Sequence, residues 1–266
     1  MFLKVKDIEN IMEEYAPSIF KESYDNVGLM VGDSKRLVTK ILVALDCTMD
    51  VIQESKNKGC NFILTHHPLL FVKPKTITKG TILGRKIIEL IRSDINVYSS
   101  HTNLDSVKGG LNDIVTEILG FSKYKIIETS ETKDVGIGRL VVLDEPMLFS
   151  EVCENVKRTL KAEFIRIVGN DNDLIKTIAI INGSGEDFFS QSIKLGADCI
   201  ITGDTKYHGA CDLLEQKIAL IDAGHFETEW IPFKIFVEKF KKRLIEDGYD
   251  NEVIISKCTL DPYKIK

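Results

Sequence analysis

All five histidines of the chain fall in four short motifs: the adjacent pair His66-His67 in ILTHHPLL, His101 in SSHTNLD, His208 in GDTKYH and His225 in DAGHFETE. Most of these motifs also hold a carboxylate or a second histidine. Imidazole nitrogens and carboxylate oxygens are the ligands that divalent transition metals take. The pattern therefore points to a metal site assembled from both halves of the sequence.

Each motif has a sharp reading and a plain one. Adjacent histidines on an extended strand point to opposite faces and cannot share one ion. At a strand end, where the chain turns into Pro68, both rings can be directed into one cleft and serve two neighbouring ions; a surface pair or a single core ring is the plain alternative. Asp105 sits in HTNLDSVKGGLND. A carboxylate is hard, charged and able to bridge two cations, although aspartate is also a common turn-capping residue. His225 and Glu229 are four apart and share one side of a first helical turn if a helix begins near Phe226, which turns Glu227 and Trp230 elsewhere. Acids favour helix N-termini in any case, but that does not account for the histidine.

Three neutral imidazoles and two carboxylates are too many for one closed tetrahedral ion. His66, His67, Asp105, His225 and Glu229 fit two divalent ions with positions left for water. Mixed nitrogen and oxygen donors suit zinc, iron, manganese, cobalt or nickel. Such a pair lowers the pKa of a bridging water and polarises a carbonyl, phosphoryl or C=N bond. His101 remains as a partner to a ligand, a proton carrier or a structural histidine. With the ligand set full, Asp204 and His208 are expected to line the cleft without binding metal. Gly183-Ser184-Gly185 reads as a tight turn rather than an anion cradle, and no Walker loop, G-x-G-x-x-G or H-E-x-x-H occurs.

Apolar runs bounded by turn residues place strands at 40–45, 62–65, 95–99, 137–143, 177–181, 199–202 and 219–222. Helical spacing places helices at 6–15, 50–58, 84–93, 111–119, 149–160, 187–195 and 226–247; in the last, Phe233, Phe236, Val237, Phe240 and Leu244 form one apolar face. Strands alternating with helices predict an α/β fold. The segment KILVALDCTMDVIQESKNKGCNFILTHH aligns without a gap over TIAIINGSGEDFFSQSIKLGADCIITGD at an offset of 137 residues, and His101-x3-Asp105 lies over His225-x3-Glu229 at an offset of 124. The chain is accordingly expected to form two pseudo-symmetric α/β lobes, 1–122 and 174–266, with 123–173 as a connector. The metal site is expected in the cleft between them, at the carboxyl ends of strands.

The 266 residues, 44% hydrophobic and 28% charged, describe an ordinary globular protein. A net charge of -5 gives no general attraction to nucleic acid or anionic membranes. No apolar run reaches the roughly 20 residues that span a bilayer, and the N-terminal residues lack a signal-peptide layout. Six dispersed cysteines without a C-x-x-C pair fit reduced thiols in a cytoplasm.

The motifs, in this order, resemble the Nif-three-like family, also labelled GTP cyclohydrolase I type 2. They are ESYDNVGLMVGD at 22–33, ALDCT at 44–48, ILTHHPLLF at 63–71, SSHTNLDSVKGGLND at 99–113 and GDTKYHGACDLLEQKIALIDAGHFETE at 203–229. The family pattern usually has tryptophan at Tyr24 and often glutamine at Met30. The resemblance implies a two-lobed α/β protomer with a dinuclear metal centre, assembled as a ring-shaped homohexamer. It carries the metal ligands onto His66, His67, Asp105, His225 and Glu229, with His101 close by. Longer members insert a domain between the halves, for which this chain is too short.

The leading expectation is a metal-dependent hydrolase in which activated water attacks an electrophilic carbon of a nucleotide-like or other small polar substrate, with His101 moving protons. The alternative is a non-catalytic metal-binding or scaffolding protein forming a ring.

Overall fold

The computed structural model describes residues 2–130, 132 and 134–264. They divide into two compact units, 1–104 with 236–266 and 105–235.

In the first unit, α1 (Val5–Tyr15) precedes β1 (Gly28–Val31), β2 (Ile41–Ala44), α2 (Met49–Lys58), β3 (Phe62–Thr65), α3 (Ile82–Arg92) and β4 (Asn96–Ser99). The five-stranded sheet has the order β1-β4-β3-β2-β11, where β11 (Val253–Ile255) comes from the C-terminal segment. Strands β4, β3, β2 and β11 run parallel, and β1 is antiparallel at the edge. Every residue of β2, β3 and β4 is buried, as befits parallel strands covered on both faces. Leu42, Ala44, Ile63 and Val97 form one core layer with Val51, Ile52 and Leu90 of α2 and α3.

The second unit carries α5 (Leu111–Ile118), β5 (Lys125–Thr129), β6 (Gly136–Leu148), α6 (Phe149–Leu160), β7 (Arg166–Val168), β8 (Leu174–Ser184), α7 (Phe189–Lys194), β9 (Cys199–Gly203), α8 (Tyr207–Gln216) and β10 (Ala219–Asp222). Its six-stranded sheet has the order β5-β6-β8-β9-β10-β7. The neighbouring pairs β8–β9 and β9–β10 are parallel, and β5–β6, β6–β8 and β10–β7 are antiparallel. Alternate residues of the same strands feed two cores. Ile178, Ile180, Cys199 and Ile201 pack with α6, while Ala179, Ile181 and Ile200 pack with Leu213 of α8, the period of two expected of a strand. Two helices cross the division in the chain: the short α4 (Thr102–Ser106) and the long α9 (His225–Glu246). The expected apolar face of α9, from Phe233 to Leu244, is buried throughout.

The repeat survives at the level of hydrogen-bond register. Ile41 pairs with Phe62 and Val43 with Leu64; Ile178 pairs with Cys199 and Ile180 with Ile201, the same pairs displaced by 137 residues. The third strands differ. Phe62 meets Asn96 and Cys199 meets Ala219, an offset of 123, so the histidine after β10 stands one residue further from its strand than the histidine after β4. Gly224, in a left-handed conformation (φ +89°), takes up the extra residue.

Residues 123–173, expected as a connector, instead supply β5, β6, α6 and β7 of the second unit. Residues 236–266, expected with the C-terminal lobe, belong to the first unit. The physical reason is burial: Val152, Val156 and Leu160 of α6 recur at helical spacing and fill one face of the sheet. All six cysteines are free thiols. Among the described residues no helix is long and apolar enough to cross a membrane.

Candidate metal centre

In the first unit, β3 lies between β2 and β4, and the two residues that follow it are tied to opposite neighbours. The parallel ladder with β4 runs one residue past the strand ends, with the Ser100 amide donating to the Thr65 carbonyl. The His66 ring then returns to the Ser100 carbonyl through Nδ1 at 2.8 Å. On the other side the His67 amide donates to the Leu45 carbonyl, and His67 Nδ1 meets Oδ1 of Asp46 at 2.9 Å. The Thr65 hydroxyl bends the chain between them by donating to the His67 carbonyl at 2.9 Å. The rings of His66 and His67 consequently come together, with centroids 5.2 Å apart, rather than diverging as on an extended strand.

His101 completes this group. Its ring centroid is 5.2 Å from that of His66 and 5.6 Å from that of His67, and one potential ligand atom from each of the three lies within 4.8 Å of the others. The ring is held from behind. Nδ1 meets Oδ1 of the buried Asp25 at 2.8 Å, and Oδ2 of Asp25 accepts the amide (3.1 Å) and the hydroxyl (2.5 Å) of Thr102. Burial raises the Asp25 pKa, but the hydrogen bond and charge of His101, with the donors of Thr102 and Asn26, outweigh it and hold the carboxyl at about 2.

In the second unit, His225 opens α9 and Glu229 follows one turn later. His225 Nδ1 meets Oδ2 of Asp204 at 2.8 Å, and its Nε2 lies 2.9 Å from Oε2 of the buried Glu229. A neutral imidazole donates one proton, so it serves both carboxylates only with a second proton or a cation. Glu229 lies against Gly183 at the end of β8, where a Cβ would stand 2.1 Å from its Oε1. The residue before, Asn182, donates from Nδ2 to Oδ1 of the buried Asp105 at 2.7 Å. At the start of α4, Asn103 Oδ1 accepts the His101 amide at 2.9 Å. His208 is exposed on α8, edge-on to Tyr207.

The donor chemistry fits divalent ions. Both nitrogens of His225 face carboxylates, and at His66, His67 and His101 Nδ1 faces an oxygen acceptor. This is the arrangement that metal-bound histidines adopt, with a carboxylate or carbonyl behind the ring. Asp25, Asp46, Asp204 and Asn182 were not assigned these roles from sequence. The three aspartates do lie in the motifs YDNVG, ALDCT and GDTKYH, but only the fold shows which ring each one meets.

An α/β chain whose parallel strands end in imidazoles set in this way is a candidate metal-binding protein. The chain belongs to the Duf34/NIF3 (NGG1p interacting factor 3) family, whose model matches residues 3–262. It is 51% identical to a Clostridium acetobutylicum protein named GTP cyclohydrolase 1 type 2 homolog, over 100% of both chains. It is 53% identical to a Clostridium perfringens protein of the same name, over 98% of this chain and 99% of that one. A crystal structure of a hypothetical protein from Staphylococcus aureus matches with a TM-score of 0.90 at 29% identity, over 100% of both chains.

Proposed function

We propose that the chain is a dinuclear metal-dependent hydrolase of the GTP cyclohydrolase 1 type 2 kind, acting on a nucleotide-like or other small polar substrate. The observation that carries this reading is the common setting of the four rings, each with Nδ1 on an oxygen. In the first unit His66 and His67 supply nitrogen ligands; in the second, Asp105, His225 and Glu229 supply oxygen and nitrogen ligands. Ions bound there would lower the pKa of a water and polarise a C=N, carbonyl or phosphoryl bond. His101 takes up and returns a proton at Nε2 while Asp25 keeps the ring oriented. Asn182 holds the Asp105 carboxylate in place through its Oδ1. The family resemblance extends the reading to a ring-shaped homohexamer, and the free thiols suit a reducing cytoplasm.

The test is elemental analysis of untagged protein, followed by turnover of GTP and a nucleotide panel. About two ions per chain, and rates that collapse in His66→Ala and Glu229→Ala, are expected. Equal rates in all three proteins would reject hydrolysis. Loss of assembly on chelation without any turnover would point instead to a metal-tethered scaffold.

A further inference from the structure

Tyr24, Asp25 and Asn26 are consecutive; Asp25 reaches the histidine cluster of the first unit, and the other two reach the loop that leaves it. Asp25 holds His101. Asn26 Nδ2 donates to the Leu70 carbonyl at 2.8 Å, which fixes the loop that leaves His67. The Tyr24 ring meets Phe71 of that loop edge-on, with centroids 6.3 Å apart and planes at 68°. Phe71 in turn stands edge-on to His101 at 6.2 Å and 83°. Three rings thus form a continuous wall that ends at the cluster, and hydrogen bonds clamp the backbone on both sides of it.

Tyr24 is 60% exposed and Phe71 48%. Exposed apolar residues scattered singly are ordinary. Here two aromatic side chains meet each other, one of them (Phe71) meets a candidate catalytic ring, and both leave much of their surface to solvent. Aromatic surface of this kind gains most from another planar ring, because stacking uses the π-face and tolerates varied edges.

We propose that Tyr24 and Phe71 form a subsite for the planar heteroaromatic ring of the substrate, stacking it beside His66, His67 and His101. The inference rests on reading that cluster as the reaction centre and adds the substrate class. A stacked heterocycle would bring its ring carbons within reach of the cluster, whereas an aliphatic polar substrate would gain little from the wall.

The experiment is calorimetric titration of the metal-loaded full chain with guanosine, and with ribose 5-phosphate as a ligand lacking the aromatic ring. Guanosine is expected to bind at least about tenfold more tightly than ribose 5-phosphate. Tyr24→Ala and Phe71→Ala should each weaken guanosine by roughly tenfold, and Tyr24→Trp should retain it, with metal stoichiometry unchanged throughout. Guanosine binding that is absent from the wild type, or equal in wild type and Tyr24→Ala, overturns the subsite. So does a Tyr24→Ala variant that changes only its sedimentation behaviour, which would make the wall an interface between copies. A wild type without metal that still loses guanosine on Tyr24→Ala would keep the subsite and remove the metal reading.

Discussion

Oδ1 of Asp25 accepts the Nδ1 proton of His101 at 2.8 Å, joining residues 76 apart in sequence. The same relation recurs between Asp46 and His67 and between Asp204 and His225. Three carboxylates thus each engage Nδ1 of one histidine ring. Their influence on the centre is testable without knowledge of the substrate.

Replacing Asp46 or Asp204 by asparagine should weaken metal binding by about 10- to 100-fold. Asparagine tolerates the left-handed backbone of Asp204 (φ +55°), so Asp204→Asn isolates the charge. Competition titration against a chromophoric chelator measures the effect, with the exposed His208→Ala as a variant expected to bind like the wild type. Wild-type affinity in both asparagine variants would exclude the carboxylates from this role.

Gly183→Ala separates the site from the fold. The added Cβ would stand 2.1 Å from Oε1 of Glu229 at a backbone φ of +62°. The obstructing atom is the end of a flexible side chain, so Glu229 moves and the sheet survives. Stability should fall by about 1–3 kcal/mol from the strained backbone, whereas metal affinity should fall at least about tenfold. Thermal denaturation alongside metal titration reads both; affinity kept with stability lost would contradict the placement of Glu229.

Acid sensitivity should arise partly at Glu54. Its carboxylate binds the Ser256 hydroxyl (2.5 Å), the Lys257 amide (3.0 Å) and Lys58 (2.8 Å). Burial raises its pKa, but these donors prevail and bring it from 4.5 to about 2. The folded state therefore favours the ionised form. Its stabilisation is complete above pH 4.5 and is lost as pH falls from there towards 2. Glu54→Gln should cost about 1–3 kcal/mol at neutral pH and flatten the pH dependence of denaturation in that window; an unchanged profile would count against the clamp.

Phe149 tests whether 123–173 is structural. It is the first residue of α6 and is fully buried in the core. Phe149→Ala should cost about 3–5 kcal/mol in chemical denaturation; a cost near zero would mean the segment is a dispensable connector after all.

Local pattern alone determined the parallel strands and most helices. The runs 62–65 and 219–222 coincide with β3 and β10, and 149–160 with α6, because buried runs and helical spacing are local signals. The i, i+4 relation of His225 and Glu229 was likewise legible and is met by contact at 2.9 Å. The edge strands β1, β5, β7 and β11 were missed, since their half-exposed residues carry no strong periodicity and owe their strand state to a neighbour. What only the tertiary structure decided is the company each ring keeps. Adjacent His66 and His67 turn to the same side because β3 lies between two strands that each claim one of them. Asp25 meets His101 because the chain returns there after β4. Such pairings depend on which distant segments share a strand end, and spacing along the sequence does not encode that.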